Sequence, residues 1–433
     1  LNENTQRNDT TQPEMRRGDV SRQGDVSRRR EVSRQGETLQ LDEVSRSDEE
    51  LLLGEVLQLS DTAEKLLNAR PDVVRHLTES YRALYIEDQS LSQPVRHALA
   101  TIAARRQGNE VLVQHHSALA DPELIGEELP RDLKLEAIIE HVDLITVSPG
   151  LVAREDQYTL QLAGVTPEEI VLVSQIVAYT STLVRVIDGY TLLTGRTPKG
   201  SAPLARPTVA VGRPIVPAER TARGSHIPTE FTTDVLDWEP WVTPPSVDEL
   251  TDVQRDSFAS KAAANSEYFR LLSLVPNVLT ARSALDNAIF LGENGLPRGE
   301  RELAAAVTSK VNGCIYCASV HARKAAFQTK RPEDVEHLLA VSLTRDENWL
   351  PIGVEKLAEG QDERWNALIL LTARLSQLVP RATAADVERL AAVGLTREQI
   401  GDAVLAVAFF SWANRLMLSL GEPAIPGTRL QAG

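Results

Sequence analysis

The stretch from Glu300 to Ala325, which reads ERELAAAVTSKVNGCIYCASVHARKA, decides the fold of this chain. Apolar residues recur at three- and four-residue spacings on both sides of Asn312 and Gly313, which are poor helix formers. The pattern predicts one helix that ends near Val311 and a second helix that begins around Cys314. Two helices joined by a tight turn are therefore the expected local structure.

The same helical spacing of apolar residues continues on both sides of this stretch. It is clear in VRHALATIAARR and EEIVLVSQIVAYTSTLVRVI, and again in RWNALILLTARLSQLV and REQIGDAVLAVAFFSWANRLMLSL. No convincing run alternates apolar and polar residues as a half-buried strand does. Residues 198–247 instead contain many prolines and glycines, which indicate a linker or a long wrapping connection. The sequence therefore predicts an all-α protein.

The two halves of the chain resemble each other. Identities recur at a constant separation of 205 residues (276 − 71 = 205), at Pro71 and Pro276, Leu91 and Leu296, Arg96 and Arg301, Gly108 and Gly313, and His116 and His321. Further along, AGVTPEEI matches VGLTREQI at a separation of 230 (394 − 164 = 230), because the second half has a longer connection. We predict two tandem helical units, at 49–197 and 248–433, joined by a linker at 198–247.

Residues 1–48 have a different character from the rest of the chain. They are polar and repeat with a period of six, in GDVSRQ, GDVSRR and REVSRQ. One valine in six gives neither a helix nor a strand an apolar face, so burial cannot offset the entropy lost on ordering. We predict a disordered tail here.

Composition excludes several classes of protein. The net charge of −15 and pI near 5.1 argue against nucleic-acid binding, which needs a concentrated basic surface. No run of eighteen apolar residues is present, and the first fifty residues contain no stretch typical of a signal peptide. Two cysteines three positions apart close too short a loop to form a secreted disulfide framework. We expect a cytoplasmic protein without membrane segments, whose cysteines have a chemical role.

The two cysteines lie in a pattern that suits redox chemistry. Cys314 is expected in the first turn of its helix, where free N–H groups and the helix dipole favour a thiolate, so its pKa should be lowered. Cys317 follows three residues later and His321 four residues after that, which places all three on one helix face. Glu302 lies on the preceding helix, from which a hairpin could bring its carboxylate to orient the histidine. The spacing predicts a redox-active dithiol.

Two other interpretations of the same residues stay open. Buried cysteines and helical histidines are common without any chemical role. Two thiolates and His321 could also hold zinc, with Glu302 or water as fourth ligand, although no second C-x-x-C or H-x-x-x-H is present to complete a structural site. A thioredoxin-like site is excluded, because it follows a strand in a βαβ unit and helices surround this motif.

A known family shares these motifs. The pattern E-L-x-x-x-V-x-x-x-x-N-G-C-x-Y-C-x-x-x-H, with a downstream F-x-x-x-N-R segment around Asn414 and Arg415, resembles the signature of the alkylhydroperoxidase D and carboxymuconolactone decarboxylase superfamily. The resemblance covers about Val253 to Pro423 and extends more weakly to residues 50–195. It implies an all-helical fold whose units pair and assemble into trimers or hexamer-like rings.

The resemblance also implies a thiol-dependent peroxidase. Cys317 would attack the hydroperoxide and become a sulfenic acid, Cys314 would resolve it to a disulfide, and Glu302 and His321 would relay protons. A thiol or lipoyl-type protein would return the disulfide to the dithiol, and no bound cofactor or metal is needed. Tyr316 departs from the best-studied peroxidases of the family, which carry a histidine there. A general dithiol oxidoreductase, a redox-sensing or assembly module and a lactone decarboxylase are therefore the alternatives.

The first half lacks the reactive residues. At the constant separation of 205, Glu302 corresponds to His97, Cys314 to Asn109 and Cys317 to Leu112, and only His116 keeps its identity. Dithiol chemistry is impossible without sulfur. We predict that the first unit is a degenerate copy, kept to pair with the second unit or to bind a different ligand.

Overall fold

A computed structural model describes residues 48–126, 128, 130–200 and 218–428. In these residues the structure is built from helices, with a few very short strands, so the all-α prediction is confirmed. The predicted disordered tail at 1–48 lies outside the described residues except for its last position, as do 201–217 of the predicted linker.

The first half begins with a π-helix at Leu51–Leu57 and continues with α-helices. These are α1 (Asp61–Leu67), α2 (Pro71–Tyr85), α3 (Gln93–Arg106), α4 (Glu110–Ser117), α5 (Leu133–Val147), α6 (Arg154–Leu162) and α7 (Pro167–Leu193).

The second half adds longer connections and four short strands to a similar helix order. Its elements are β1 (Asp237–Pro240), α8 (Asp252–Asp256), α9 (Glu267–Leu272), α10 (Pro276–Leu291), α11 (Arg298–Asn312), α12 (Ile315–Thr329), α13 (Pro332–Ala340), β2 (Thr344–Arg345), β3 (Pro351–Ile352), α14 (Glu363–Ser376), α15 (Ala384–Ala392), α16 (Arg397–Leu420) and β4 (Gly421–Ala424).

The helix boundaries reproduce the internal repeat. Helices α2 and α10 start 205 residues apart (276 − 71 = 205), as do α3 and α11 (298 − 93 = 205). Helices α5 and α14, α6 and α15, and α7 and α16 each start 230 residues apart (363 − 133, 384 − 154 and 397 − 167). Gly108 and Gly313 both have positive φ after corresponding helices, at 68° and 82°. The helix boundaries therefore repeat at the same two separations as the sequence identities.

Corresponding helices of the two units pack against each other in the core. Helix α7 packs along α16, and α2 packs against α10. Both α7 and α16 are long and apolar enough to cross a membrane by length and composition, but their most apolar windows are 100% and 94% buried within the protein. A core helix covered on all sides has the same composition as a membrane span, because it also lacks a polar face.

Two arginines connect the units reciprocally. Arg185 on α7 and Arg415 on α16 occupy equivalent positions (415 − 185 = 230), and both are almost completely buried. Arg185 donates to the carbonyl of Gln377 beyond α14 at 2.6 Å, and Arg415 donates to the carbonyl of Thr146 in α5 at 3.0 Å. Each guanidinium thus satisfies carbonyl groups at the C-terminal end of a helix in the other unit.

Residues 218–247 of the proline-rich connection lie on the second unit. Strand β1 pairs antiparallel with β4, and Trp238 Nε1 donates to the carbonyl of Met417 at 3.1 Å. The carbonyls of Thr233 and Asp234 accept hydrogen bonds from α12, in particular from Arg323 at 3.0 Å. The segment therefore covers the helix that carries the cysteines.

Candidate active site

The turn between α11 and α12 places the first cysteine. Helix α11 ends at Asn312, Gly313 adopts the left-handed conformation with φ of 82°, and Cys314 is the N-cap residue of α12. The Cys314 amide donates to the carbonyl of Ser309 at 2.8 Å, which closes the end of α11. Each helix boundary lies one residue beyond the position predicted from the sequence.

The two sulfurs are neighbours. Cys314 Sγ and Cys317 Sγ lie 2.9 Å apart as free thiols, because residues three apart on a helix share a face. Cys314 is 1% exposed and Cys317 is 5% exposed. The pair can close to a disulfide with little movement of the backbone, and Cys317 is the more accessible of the two.

The expected lowering of the Cys314 pKa is wrong. Burial of the thiol raises its pKa well above the ordinary value, and the neighbouring Cys317 thiol raises it further. The backbone N–H of Cys317 and the side chain of Asn414 act in the opposite direction but are outweighed. Desolvation in this apolar setting exceeds the helix-terminus effect on which the prediction relied. Cys314 is therefore a thiol at neutral pH.

The hairpin of α11 and α12 brings Glu302 to His321. Glu302 Oε2 lies 2.6 Å from His321 Nδ1, and the carboxylate is fully buried. Burial raises the pKa of Glu302, but the hydrogen bond from His321 and the charges of His321, Lys324 and Arg298 together hold it below its usual range. Burial lowers the pKa of His321, although Glu302 partly opposes this. The favoured state at neutral pH is a carboxylate that accepts Nδ1–H from a neutral imidazole, which leaves Nε2 as a proton acceptor.

Aromatic rings hold the imidazole in place. The His321 ring meets Phe410 edge to face, with ring centres 4.2 Å apart, and Phe290 lies on another side at 5.9 Å. Among the hydrogen bonds of the described residues, none joins His321 to either sulfur. The imidazole is oriented by Glu302 and by these rings, and it shares the α12 face with Cys317.

Asn414 links α16 to the turn before the cysteines. Its Oδ1 accepts from Asn312 Nδ2 at 3.0 Å, and its Nδ2 donates to Ser309 Oγ at 3.0 Å. Its side chain also forms a hydrogen bond that lowers the pKa of Cys314. Phe410 and Asn414 are four residues apart on α16, so one helix face contacts both His321 and the turn. The F-x-x-x-N-R motif singled out in the sequence thus belongs to this site.

Three further polar residues near this site were not singled out from the sequence. Arg282 and Asp286 lie one turn apart on α10, and Arg282 is 3% exposed. Burial raises the pKa of Asp286, and the charges of Arg282 and His321 oppose that rise. Tyr268 on α9 interacts electrostatically with both cysteines. The available signal was an arginine and an aspartate four residues apart in a helix that has no other charged residue.

A metal centre finds little support in the ligand arrangement. Among the described residues, no group of three or more histidine, cysteine, aspartate or glutamate side chains is arranged to hold a metal ion. The zinc interpretation would therefore require ligands to move or to come from elsewhere.

The equivalent place in the first unit keeps the scaffold without the sulfurs. His97 Nδ1 lies 2.9 Å from His116 Nδ1, where the second unit has Glu302 and His321. Asn109 Oδ1 caps α4 by accepting from the Leu112 amide at 3.0 Å, and Leu112 is fully buried. The backbone frame of the site is repeated, whereas the reactive side chains are replaced.

The comparison with known proteins agrees with this geometry. The model of the carboxymuconolactone decarboxylase family matches residues 276–346. That range runs from the start of α10 to the end of β2 and contains Glu302, both cysteines and His321. No curated protein matches the chain.

Proposed function

The chain belongs to the carboxymuconolactone decarboxylase superfamily through residues 276–346, and on that premise we propose that it is a thiol-dependent peroxidase that reduces hydroperoxides. The family includes decarboxylases and alkylhydroperoxidases. The observation that carries the proposal is the contact between Cys314 Sγ and Cys317 Sγ, at 2.9 Å, beside a buried Glu302–His321 pair. Decarboxylation would give a dithiol no role.

Cys317 is the attacking residue in this proposal. It is the more exposed sulfur, and the face of α12 that carries it also carries His321 one turn later. Cys317 loses its proton to His321 Nε2, and the thiolate attacks the outer oxygen of the hydroperoxide. The S–O bond forms as the O–O bond breaks, which leaves a sulfenic acid on Cys317. The departing alkoxide takes up a proton from the imidazolium and leaves as the alcohol.

Glu302 is a positioning residue for this proton transfer. Its carboxylate fixes the Nδ1–H tautomer, so that the lone pair is on Nε2. It also stabilises the imidazolium that forms when His321 accepts the proton, because a buried carboxylate at 2.6 Å has little solvent screening.

Cys314 completes the cycle as the resolving thiol. Its sulfur attacks the Cys317 sulfenic acid, the S–S bond forms and water leaves with the Cys314 proton. Its raised pKa keeps Cys314 protonated, so that it does not compete for the peroxide, and the thiol gives up its proton only as it attacks the sulfenic acid. An external reductant, either a small-molecule thiol or a lipoyl-type protein, then reduces the disulfide by thiol–disulfide exchange. No step in this cycle calls on a bound cofactor.

The assay for this proposal is consumption of tert-butyl hydroperoxide in the presence of dithiothreitol. Wild-type protein should turn over the peroxide, and Cys317→Ser should reduce the rate to the uncatalysed background. Ser319→Ala is the matched control, because Ser319 is buried on the same helix but bonds to Asp234 on the other side. A wild-type protein that reduces disulfides but not peroxide would favour a general dithiol oxidoreductase, as Tyr316 between the cysteines suggests.

We further propose that the protein acts in the cytoplasm and as a homo-oligomer, a trimer or a hexamer-like ring. A reducing compartment keeps both cysteines in the thiol form, which supports the cytoplasmic location. Light scattering coupled to size-exclusion chromatography measures the oligomeric state, and a mass of one chain, 47.6 kDa, would contradict the homo-oligomer.

A further inference from the structure

We propose that Arg282 and Tyr268 form an anion-binding subsite beside the dithiol, which takes the carboxylate of a hydroperoxide substrate. The inference rests on the proposed peroxidase function and names its substrate class: organic hydroperoxides that carry a carboxylate, such as oxidised fatty acids. Neither residue belongs to the cysteine, histidine and glutamate set described above.

Arg282 is a buried cation with unused hydrogen-bonding capacity. Its side chain is 3% exposed, and its Nε is buried without a partner among the described residues. The guanidinium lies 4.9 Å from the centre of the Phe409 ring and 5.9 Å from that of Tyr268. Aromatic faces stabilise a cation only in part, whereas burial of a charge without hydrogen bonds is strongly unfavourable. A bound anion would supply the missing acceptors.

The carboxylate of Asp286 does not form an ion pair with Arg282. Asp286 lies one helical turn after Arg282, and the two interact favourably, but they form no ion pair within 4.0 Å in the described structure. Burial raises the pKa of Asp286, and the charges of Arg282 and His321 oppose that rise. The guanidinium therefore keeps hydrogen-bonding capacity for a ligand.

Tyr268 supplies a second donor without a partner. Its hydroxyl is buried and makes no hydrogen bond among the described residues, and its pKa is raised, chiefly by burial. The same tyrosine interacts electrostatically with Arg282, Cys317 and Cys314, and its ring centre lies 5.9 Å from the guanidinium carbon of Arg282. Two buried donors without partners, on a guanidinium and on a phenol that it approaches to 5.9 Å, are what an anion-binding subsite requires.

These groups are specific to the unit that carries the thiols. At the separation of 205 residues, Arg282 corresponds to Leu77 and Asp286 to Tyr81 (282 − 77 = 205, 286 − 81 = 205). Leu77 is 1% exposed in the core of the first unit, so the fold accepts an apolar residue at this place. The arginine therefore accompanies the dithiol and is not required by the helix packing.

The surroundings suit a carboxylate with an apolar chain. A guanidinium can hold a carboxylate through two parallel hydrogen bonds, and a phenol can donate a third. Phe290, Phe409 and Phe410 are packed within 6.1 Å of one another and form an apolar wall next to His321. Contact with these rings favours an apolar chain on the substrate over a polar one.

The test compares one hydroperoxide in two charge states. Linoleic acid hydroperoxide and its methyl ester have the same peroxide and chain, and the wild-type protein should prefer the acid in kcat/KM. We expect Arg282→Gln to lower kcat/KM for the acid at least tenfold and to leave the ester within twofold. Tyr268→Phe should have a smaller effect of the same kind. Equal losses for acid and ester would show that Arg282 acts on the sulfur, and no preference in the wild type would also overturn the proposal.

A binding measurement separates this proposal from the peroxidase function. Benzoate should slow alkylation of Cys317 by iodoacetamide in the wild type but not in Arg282→Gln. The readout does not need peroxide turnover, so it stands even if tert-butyl hydroperoxide is not consumed. Alkylation that is unaffected by benzoate in the wild type would contradict the subsite while leaving the proposed function intact.

Discussion

His97 and His116 hydrogen-bond to each other through Nδ1 atoms 2.9 Å apart, at the positions that correspond to Glu302 and His321. The first unit thus retains a buried pair in place of the proton relay, while the sulfur positions are filled by Asn109 and Leu112. Both imidazoles are almost completely buried and their pKa values are lowered, first by desolvation and then by neighbouring positive charge. The pair is a neutral core contact at pH 7.

Substitution of Asn109 should lower the stability of the protein without changing its peroxide turnover. Asn109→Ala removes the cap of α4, so we expect a loss of about 1 kcal/mol in the free energy of unfolding. Peroxide turnover should stay at the wild-type value, because the first unit has no thiol. Chemical denaturation and the peroxide assay give the two numbers, with Leu112→Met as a volume-conserving control. A large loss of turnover in folded protein would show that the first unit takes part in the reaction.

The histidine pair should make the protein sensitive to acid. Burial, with the charges of His115 and Arg96, lowers the pKa of His97 to about 4, against about 6.5 in the unfolded chain. Between these values the unfolded state binds more protons, so the free energy of unfolding falls as the pH drops from about 6.5 to about 4. A loss of roughly 2 kcal/mol is expected over this range.

Urea denaturation as a function of pH measures this effect. The variant His97→Gln should show a shallower decline than the wild type, since one buried imidazole is gone. An unchanged slope in the variant would mean that other groups are responsible for the acid sensitivity.

Removal of the Glu302 charge should slow the reaction and shift its pH profile. Glu302 raises the pKa of His321 against the effect of burial, so Glu302→Gln should lower that pKa further and weaken the base. We expect kcat/KM to fall at least tenfold, and the acid limb of its pH profile to move to lower pH. Kinetics between pH 5 and 9 give both quantities.

Glu300→Gln is the matched control for this variant. Glu300 is also a buried carboxylate on α11, but it pairs with Arg364 at 2.6 Å and lies away from the imidazole. Its variant should keep the wild-type pH profile. If both variants had the same pH profile as the wild type, Glu302 would have no part in the proton relay.

The variants Cys314→Ser and Cys317→Ser should give different products after a peroxide pulse. Cys314→Ser leaves Cys317 without a resolving thiol, so a peroxide pulse should accumulate a sulfenic acid that dimedone traps. Cys317→Ser should give no trapped adduct, because the pKa of Cys314 is raised and its thiol is a poor nucleophile. Mass spectrometry of the dimedone adduct distinguishes them. An adduct on Cys314 but not on Cys317 would reverse the assigned roles.

The fold follows from the sequence to a large extent. Helical periodicity and the identities at separations of 205 and 230 predicted the tandem units, because repeated sequence imposes repeated helix boundaries. Strand β1 was not predictable, since a four-residue strand in a proline-rich segment depends on its partner β4, almost two hundred residues away. The reciprocal contacts of Arg185 and Arg415 also depend on tertiary structure alone.

The candidate site also has features that the sequence predicts and features that it does not. The spacing of Cys314, Cys317 and His321 is enough to predict a shared helix face, since helical geometry is local. The pKa of Cys314 was predicted in the wrong direction, because it depends on how many apolar neighbours exclude water, which no local motif encodes. Arg282 and Tyr268 come from separate helices, and only packing brings the guanidinium within 5.9 Å of the tyrosine ring centre.

In the proposed cycle, peroxide drives Cys314 and Cys317 from dithiol to disulfide. Reduced protein is given one equivalent of tert-butyl hydroperoxide, free thiols are trapped with iodoacetamide, and the peptide that contains both cysteines is analysed by mass spectrometry. We predict two alkylated cysteines before the pulse and, after it, a peptide two hydrogens lighter that carries no alkyl group. Two alkylated cysteines both before and after the pulse would contradict the peroxidase account.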